Sequence, residues 1–210
     1  MEKQNQIKSG RLVDSEVSSI DNGQFSMVNC IKIRLFRMLA RNIIMRIGKT
    51  KIGDVFSVKL DSNNKKYFQL IAFDLTQLNS DVIRAFKKTY SIDENPDLSE
   101  IVNEEVDFYV HCVTKLGLKM NLWEKIGNTL TIGDTKQILF RNTNDYGSKV
   151  GEEPIRISNN WYVWHINDSN TTRVGKLEGQ YKDAYMGLVI NPLGIIELLN
   201  GNKYPINYPD

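Results

Sequence analysis

The clearest periodic pattern in the chain lies between residues 51 and 73. Apolar residues alternate with polar ones over residues 56–60, and this period of two is typical of a half-buried strand. Residues 61–64, Asp-Ser-Asn-Asn, favour a turn, because Asn and Asp tolerate left-handed backbone. Residues 67–73 are apolar on both alternating faces, which predicts a central strand covered on both sides. The two runs predict an antiparallel hairpin to which later strands add.

The rest of the pattern predicts further strands and helices. Apolar residues at helical spacing predict a helix over residues 79–90, with Ser80 as its N-cap. A second helix is expected over residues 191–199, because Asn-Pro opens it and Gly follows it. A short helical turn is expected at residues 98–102. Strands are predicted at residues 107–114, 136–141, 161–166 and 185–190. The predicted fold class is α+β: a curved, mainly antiparallel sheet of five to seven strands with two or three packed helices.

Residues 1–44 differ from the remainder of the chain. Residues 1–29 are polar without a sustained period, and residues 30–41 are basic and apolar with no acid. Three interpretations stay open: an upstream extension that is disordered or foreign to the natural protein, a packed or loose helix, and an amphipathic helix on a membrane surface. Met45 opens a segment that resembles a natural start. We therefore expect an N-terminal extension at 1–44 and a single α+β domain at 45–210.

Composition narrows the class of protein and its compartment. The formal charge of +2 lacks the basic excess of a nucleic-acid binder and the acidic excess of a nucleic-acid mimic. Cys30 and Cys112 are the only cysteines, so a disulfide framework is not expected. No apolar run approaches the roughly 20 residues of a membrane-spanning helix, and the first thirty residues lack the apolar core of a signal peptide. These features predict a cytoplasmic protein.

The chemistry-bearing residues do not form a recognisable active site. His111 and Cys112 are adjacent on a predicted strand, so their side chains point to opposite faces and cannot pair. A dyad of Cys112 with His165 would need an exposed thiol in an electropositive setting, and a packing role is favoured instead. No metal-ligand spacing and no phosphate-binding glycine loop is present. We expect no catalytic residue, no metal site, no cofactor and no enzyme activity.

Aromatic residues are concentrated in the predicted strand at residues 161–166. Trp161 lies on one face of this strand, and Tyr162 and Trp164 lie on the other. Either both faces belong to the core, or one is exposed and binds a partner, because Trp and Tyr are enriched at interface hot spots. Together with Tyr146 in the polar loop before the strand, these three residues are the predicted partner-binding residues.

Four short motifs follow one another along the chain. They are GDVF at residues 53–56, YFQLIA at 67–72, WEKIG at 123–127 and NNWYVW at 159–164. In this order they resemble the immunity protein 26 family of bacterial polymorphic toxin systems, over residues 45–210. The resemblance implies a small cytoplasmic protein that neutralises one cognate toxin domain by stoichiometric binding, without catalysis.

A second function remains open beside this one. The aromatic strand could instead serve a small-ligand or nucleic-acid binding module, if one of its faces is exposed. The expectation from the resemblance is a protein partner, the cognate toxin, with no nucleic acid and no membrane. The sequence does not indicate the oligomeric state or the face that binds.

Overall fold

Two β-sheets and three helices make up the computed structural model over its described residues, 49–147, 151–204 and 206–209. In chain order the strands are β1 (Asp54–Lys59), β2 (Asn64–Asp74), β3 (Ser80–Phe86), β4 (Tyr90–Ser91), β5 (Val106–Cys112), β6 (Glu124–Asn128), β7 (Leu139–Asn142), β8 (Trp161–His165), β9 (Thr172–Gly175), β10 (Tyr185–Met186) and β11 (Val189–Ile190). The helices are α1 (Leu98–Val102), α2 (Thr114–Lys119) and α3 (Pro192–Leu199). None of these helices is long and apolar enough to cross a membrane. The predictions for residues 1–44 lie outside the described residues.

The larger sheet has the strand order β11-β5-β3-β2-β1-β6, and β4 pairs with β2. All of its pairs are antiparallel except β11 with β5. The smaller sheet has the order β10-β7-β8-β9, and only β10 with β7 is parallel. This arrangement confirms the predicted α+β class with a mainly antiparallel sheet. The second sheet is an addition that the sequence pattern does not predict.

The predicted hairpin is confirmed as β1 and β2. Phe56 lies opposite Phe68, and their rings stack with centroids 4.9 Å apart. The turn begins at Asp61, whose Oδ1 accepts hydrogen bonds from the backbone N–H groups of Asn63 at 2.7 Å and Asn64 at 2.8 Å. This side-chain cap is the turn chemistry expected from Asp and Asn. The hairpin therefore follows from local signals.

The larger sheet is covered on both faces, which explains why β2 is apolar in both directions. On one face, Phe68 and Leu70 pack in a cluster that includes Ile195 of α3. On the other face, one cluster lies under α1 and includes Ile101. A further cluster on that side joins Val82 of the larger sheet to residues of the smaller sheet. The core thus consists of three clusters, one on the first face of the larger sheet and two on the second.

The predicted helix over residues 79–90 is wrong. Residues Ser80–Phe86 form β3, a strand between β2 and β5 in which all seven residues are buried. Apolar residues at 82, 83, 85 and 86 satisfy helical spacing, but they equally suit a strand that is covered on both faces. Ser80 is not an N-cap, since it lies opposite Asp74 in the β2–β3 pair.

The other predicted elements are found close to their expected positions. Confirmed elements are α1, α3 and the strands β5, β7 and β8. The segment predicted as one strand at 185–190 divides into β10 and β11, which join different sheets. Each strand is only two residues long, so a local pattern cannot separate them.

A buried hydrogen bond links β5 to the end of β2, on the side of the larger sheet that faces the smaller sheet. His111 of β5 is fully buried, and its Nε2 lies 3.0 Å from Oδ2 of Asp74. Asp74 also accepts hydrogen bonds from the N–H and hydroxyl of Thr76, at 3.0 and 2.7 Å. Burial lowers the pKa of His111, because the loss of solvation outweighs the favourable effect of Asp74 on the imidazolium.

This depressed pKa predicts a loss of stability in mild acid. An unfolded histidine titrates near pH 6.5. Folded His111 binds its proton only at lower pH, so the unfolded state binds more protons below pH 6.5. The free energy of unfolding should therefore fall as pH drops from about 6.5 towards 5, by at most about 1.4 kcal/mol per pH unit. Thermal midpoints measured from pH 8 to pH 5 test this.

The matched variants are His111→Gln and His165→Gln. His111→Gln keeps a donor for Asp74 but removes the titration, so its midpoint should vary less over this range. His165→Gln should retain the wild-type decline. The same decline in both variants and the wild type would contradict the assignment to His111.

Candidate functional site

Two of the four predicted partner-binding residues are buried in the core. Trp161 is 1% exposed and Trp164 is 2% exposed. Trp164 packs between the sheets, with its ring centroid 6.2 Å from that of Phe140. Trp161 lies on the other side of β8, under Arg141 and Tyr208. Because both tryptophans are covered by the protein itself, neither presents its ring to solvent.

The other two predicted residues reach the surface. Tyr146 is 42% exposed, and its ring centroid lies 6.4 Å from that of Tyr208. Tyr162 is half-buried and stacks on Trp164 with a centroid distance of 5.8 Å. Contact with a partner through Tyr146 and Tyr162 stays a prediction. The candidate site is the surface around these two residues.

A polar cavity of about 320 Å³ opens beside Tyr162. Its lining residues are Asn144, Asp145, Asn160, Tyr162, Thr171 and Arg173. They come from three places: the loop after β7, the start of β8, and the β8–β9 connection with the adjoining strand. The lining combines an acid, a base, amides and a phenol, and it lacks Ser, Cys and His. Such a surface suits polar recognition.

Hydrogen bonds hold the charged groups of the cavity in place. Oδ2 of Asp145 accepts from Ser158 Oγ at 2.8 Å and from Asn160 Nδ2 at 3.0 Å. The same Asn160 accepts from Nη2 of Arg173 at 3.0 Å. The hydrogen bonds from Ser158 and then Asn160 lower the pKa of Asp145, so its carboxylate is ionised at neutral pH. The cavity therefore presents fixed charges of both signs.

The C-terminal tail supports this region in a way that the sequence does not reveal. Tyr208 donates a hydrogen bond to the carbonyl oxygen of Arg141 at 2.9 Å. Its ring packs edge-on against Trp161 at 5.5 Å, and burial raises the pKa of Tyr208. The backbone N–H of Gly147 also donates to the carbonyl of Asn207 at 2.6 Å. The tail thus fixes the loop that carries Tyr146.

Arg173, Asn160 and Tyr208 are residues that sequence reasoning misses. Arg173 lies in an ordinary polar segment, and only the β8–β9 pairing brings it opposite Tyr162. Tyr208 lies in a short proline-containing tail without periodicity. The polar loop at residues 142–147 is the one local signal that points to the cavity.

The histidines and the described cysteine do not assemble into a catalytic pair. His111 faces the smaller sheet, while Cys112 is buried in the cluster on the opposite face. Burial raises the pKa of Cys112, which keeps it a thiol. His165 is engaged elsewhere, with its Nδ1 2.9 Å from the carbonyl oxygen of Ile138. Cys30 lies outside the described residues.

Comparison with known proteins returns one family. Residues 51–149 match the family model described as Immunity protein 26. The match spans β1 to β7 and the loop that carries Asp145 and Tyr146, and three of the four sequence motifs fall within it. Neither a comparison with curated proteins nor one with solved structures gave a match.

Proposed function

We propose that this chain is an immunity protein that neutralises one cognate toxin domain, because residues 51–149 match the model of the immunity protein 26 family. The observation that carries the proposal is the family match itself. The proposed domain is residues 45–210, and the proposed compartment is the cytoplasm, where a toxin would threaten the cell that makes it. Protection comes from binding and not from chemistry on the toxin.

The proposed mechanism is occupancy of the toxin by a specific protein interface. An interface of standard size, about 1,600 Å² in total, can be tight enough to block a toxin stoichiometrically. The polar cavity contributes specificity, because Asp145 and Arg173 are held by hydrogen bonds before the partner arrives. Tyr146 and Tyr162 supply the aromatic area beside it.

A protection assay tests the proposal. The probe is a candidate toxin domain, chosen from the genes that neighbour this chain's gene and expressed in the bacterial cytoplasm with or without the full chain. Growth should stop with the toxin domain alone and recover when the chain is co-expressed. If growth does not recover although the chain is soluble and folded, the proposed function is wrong.

The aromatic anchors give a binding prediction. Tyr146→Ala and Tyr162→Ala should each raise the Kd for the toxin domain by about 30-fold, equivalent to ~2 kcal/mol, as expected of hot-spot tyrosines. Isothermal titration calorimetry measures the Kd, and a thermal melt shows whether the half-buried Tyr162 also affects stability. Tyr181→Ala, at a partly exposed tyrosine in the turn Gly179–Tyr181, is the control and should bind normally. Wild-type affinity in both site variants would place the interface elsewhere.

A further inference from the structure

The turn between β2 and β3 exposes two leucines to solvent. It consists of residues 75–79, Leu-Thr-Gln-Leu-Asn, and contains no charged residue. Leu75 is 69% exposed and Leu78 is 86% exposed. Both leucines lie outside the cavity described above, and the strands on either side of the turn are buried. The turn therefore carries apolar area that the core does not use.

The backbone of this turn is unfavourable for leucine. Leu78 has a φ of 57° and Asn79 a φ of 50°, and the N–H of Ser80 donates to the carbonyl of Gln77 at 3.0 Å. Positive φ at both central residues is the mark of a type I′ turn, which favours Asn, Asp and Gly. A leucine there brings its Cβ too close to the following carbonyl oxygen. Asparagine would suit position 78 better as far as the fold is concerned.

Hydrogen bonds with Asn167, in the β8–β9 connection, also hold the turn in place. The N–H of Leu75 donates to Oδ1 of Asn167 at 2.8 Å, and Nδ2 of Asn167 donates to the carbonyl of Phe73 at 3.0 Å. Asp74, buried against His111, accepts the N–H of Asn167 at 3.3 Å. These bonds hold the backbone at the start of the turn in place before any partner binds, so less backbone freedom is left to lose on association.

We propose that Leu75 and Leu78 form an apolar anchor that inserts into an uncharged, concave pocket on the toxin domain; this inference rests on the proposed function. A largely exposed leucine in a costly backbone conformation indicates a role other than packing in the core. The absence of charge on residues 75–79 indicates an apolar pocket rather than a charged one.

The available area favours a larger partner over a second copy of this chain. An exposed leucine side chain offers on the order of 100 Å² of apolar surface. Two turns packed against each other would bury about 400 Å², well below the roughly 1,200 Å² of a stable interface. The β8–β9 connection carries both Asn167, which holds the turn, and Thr171, which lines the cavity. One toxin domain can therefore cover the turn and the cavity together.

The first test needs no partner. Leu78→Asn should raise the thermal midpoint by about 2–4 °C, because asparagine tolerates the left-handed backbone. Leu130→Asn replaces another exposed leucine, 76% exposed and without positive φ, and should leave the midpoint unchanged within about 1 °C. A lower midpoint for Leu78→Asn would show that Leu78 serves the fold, and the inference would be overturned.

The second test uses calorimetry to measure affinity for the toxin domain of the protection assay. Leu75→Asn and Leu78→Asn should each raise the Kd at least 10-fold and together about 100-fold, while Leu130→Asn should stay within about twofold. If the double variant binds and protects like the wild type, the inference fails and the proposed function stands. If the wild type itself neither binds nor protects, both the inference and the proposed function are wrong. Sedimentation of the free protein tests whether a second copy of the chain occupies the turn instead. A wild type that is dimeric and a double variant that is monomeric would assign the turn to a second copy, and the inference would be overturned.

Discussion

Trp161→Ala is expected to lower the thermal midpoint by about 10 °C or more. Trp161 is among the largest fully buried side chains, and its ring lies under the guanidinium of Arg141 at 4.9 Å and the ring of Tyr208. Truncating a buried tryptophan to alanine costs about 3–5 kcal/mol, because the cavity left behind is only partly refilled. For a domain of this size each kcal/mol moves the midpoint by about 2–4 °C.

This variant also separates a core tryptophan from a binding one. Trp161→Phe keeps an aromatic ring at the position and should lose much less stability than Trp161→Ala. Both variants should bind the toxin domain normally at temperatures where they are folded. If Trp161→Ala melts like the wild type but no longer binds, the ring contacts the partner and does not stabilise the fold.

Arg84→Met is expected to destabilise the protein by about 3 kcal/mol or more. Arg84 is buried on β3, where its Nε donates to Oε1 of Gln69 at 2.9 Å. Its Nη2 donates to the carbonyl oxygens of Val102 and Thr131. Methionine fills similar space but leaves these three acceptors without their donor, and buried unpaired acceptors are costly. Urea denaturation with a fixed m-value measures the change.

Two further variants show whether the cost comes from the unpaired groups. Arg173→Met removes an exposed arginine and should change the free energy of unfolding by less than about 0.5 kcal/mol. Replacing both Arg84 and Gln69 with methionine removes a donor and one of its acceptors together. The double variant should lose less stability than the sum of the two single variants. A strictly additive loss would contradict the coupling of Arg84 with Gln69.

Elements specified by neighbouring residues are the ones that sequence predicts well. The β1–β2 hairpin depends on Asp61, which caps the turn two and three residues later. Helix α3 begins where Asn191 accepts the N–H of Gly194 at 2.9 Å and Pro192 occupies the first turn. In both cases the residues that make the contact lie within a few positions of one another, so the pattern and the structure agree.

Elements specified by distant partners are the ones that sequence misses. The pattern of strand β3 also fits a helix, because its burial on both faces depends on β2, β5 and three separate core clusters. The hydrogen bonds of Arg84 are equally hard to predict. Its acceptors Gln69, Val102 and Thr131 lie 15 to 47 positions away in the chain. No local period reveals such contacts.

The predicted site shows the same division. Aromatic residues in β8 are visible in the sequence, but which rings are exposed depends on Tyr208 and on the smaller sheet. Trp161 is covered by Tyr208, which lies far along the chain, and Trp164 is covered by the larger sheet. The exposure of Leu75 and Leu78 in the β2–β3 turn has no local sequence signal, because it depends on how β2 and β3 pair.

The most direct test of the immunity function is a titration of the toxin domain used in the protection assay with the purified full chain, following the toxin's activity. Neutralisation by occupancy should rise in proportion to added protein and reach completion at about one equivalent, as expected for a tight interface of standard size. The inhibition should not deepen with incubation time. Complete neutralisation by far less than one equivalent would mean turnover, and an absence of neutralisation at any ratio would mean that this chain is not the toxin's inhibitor.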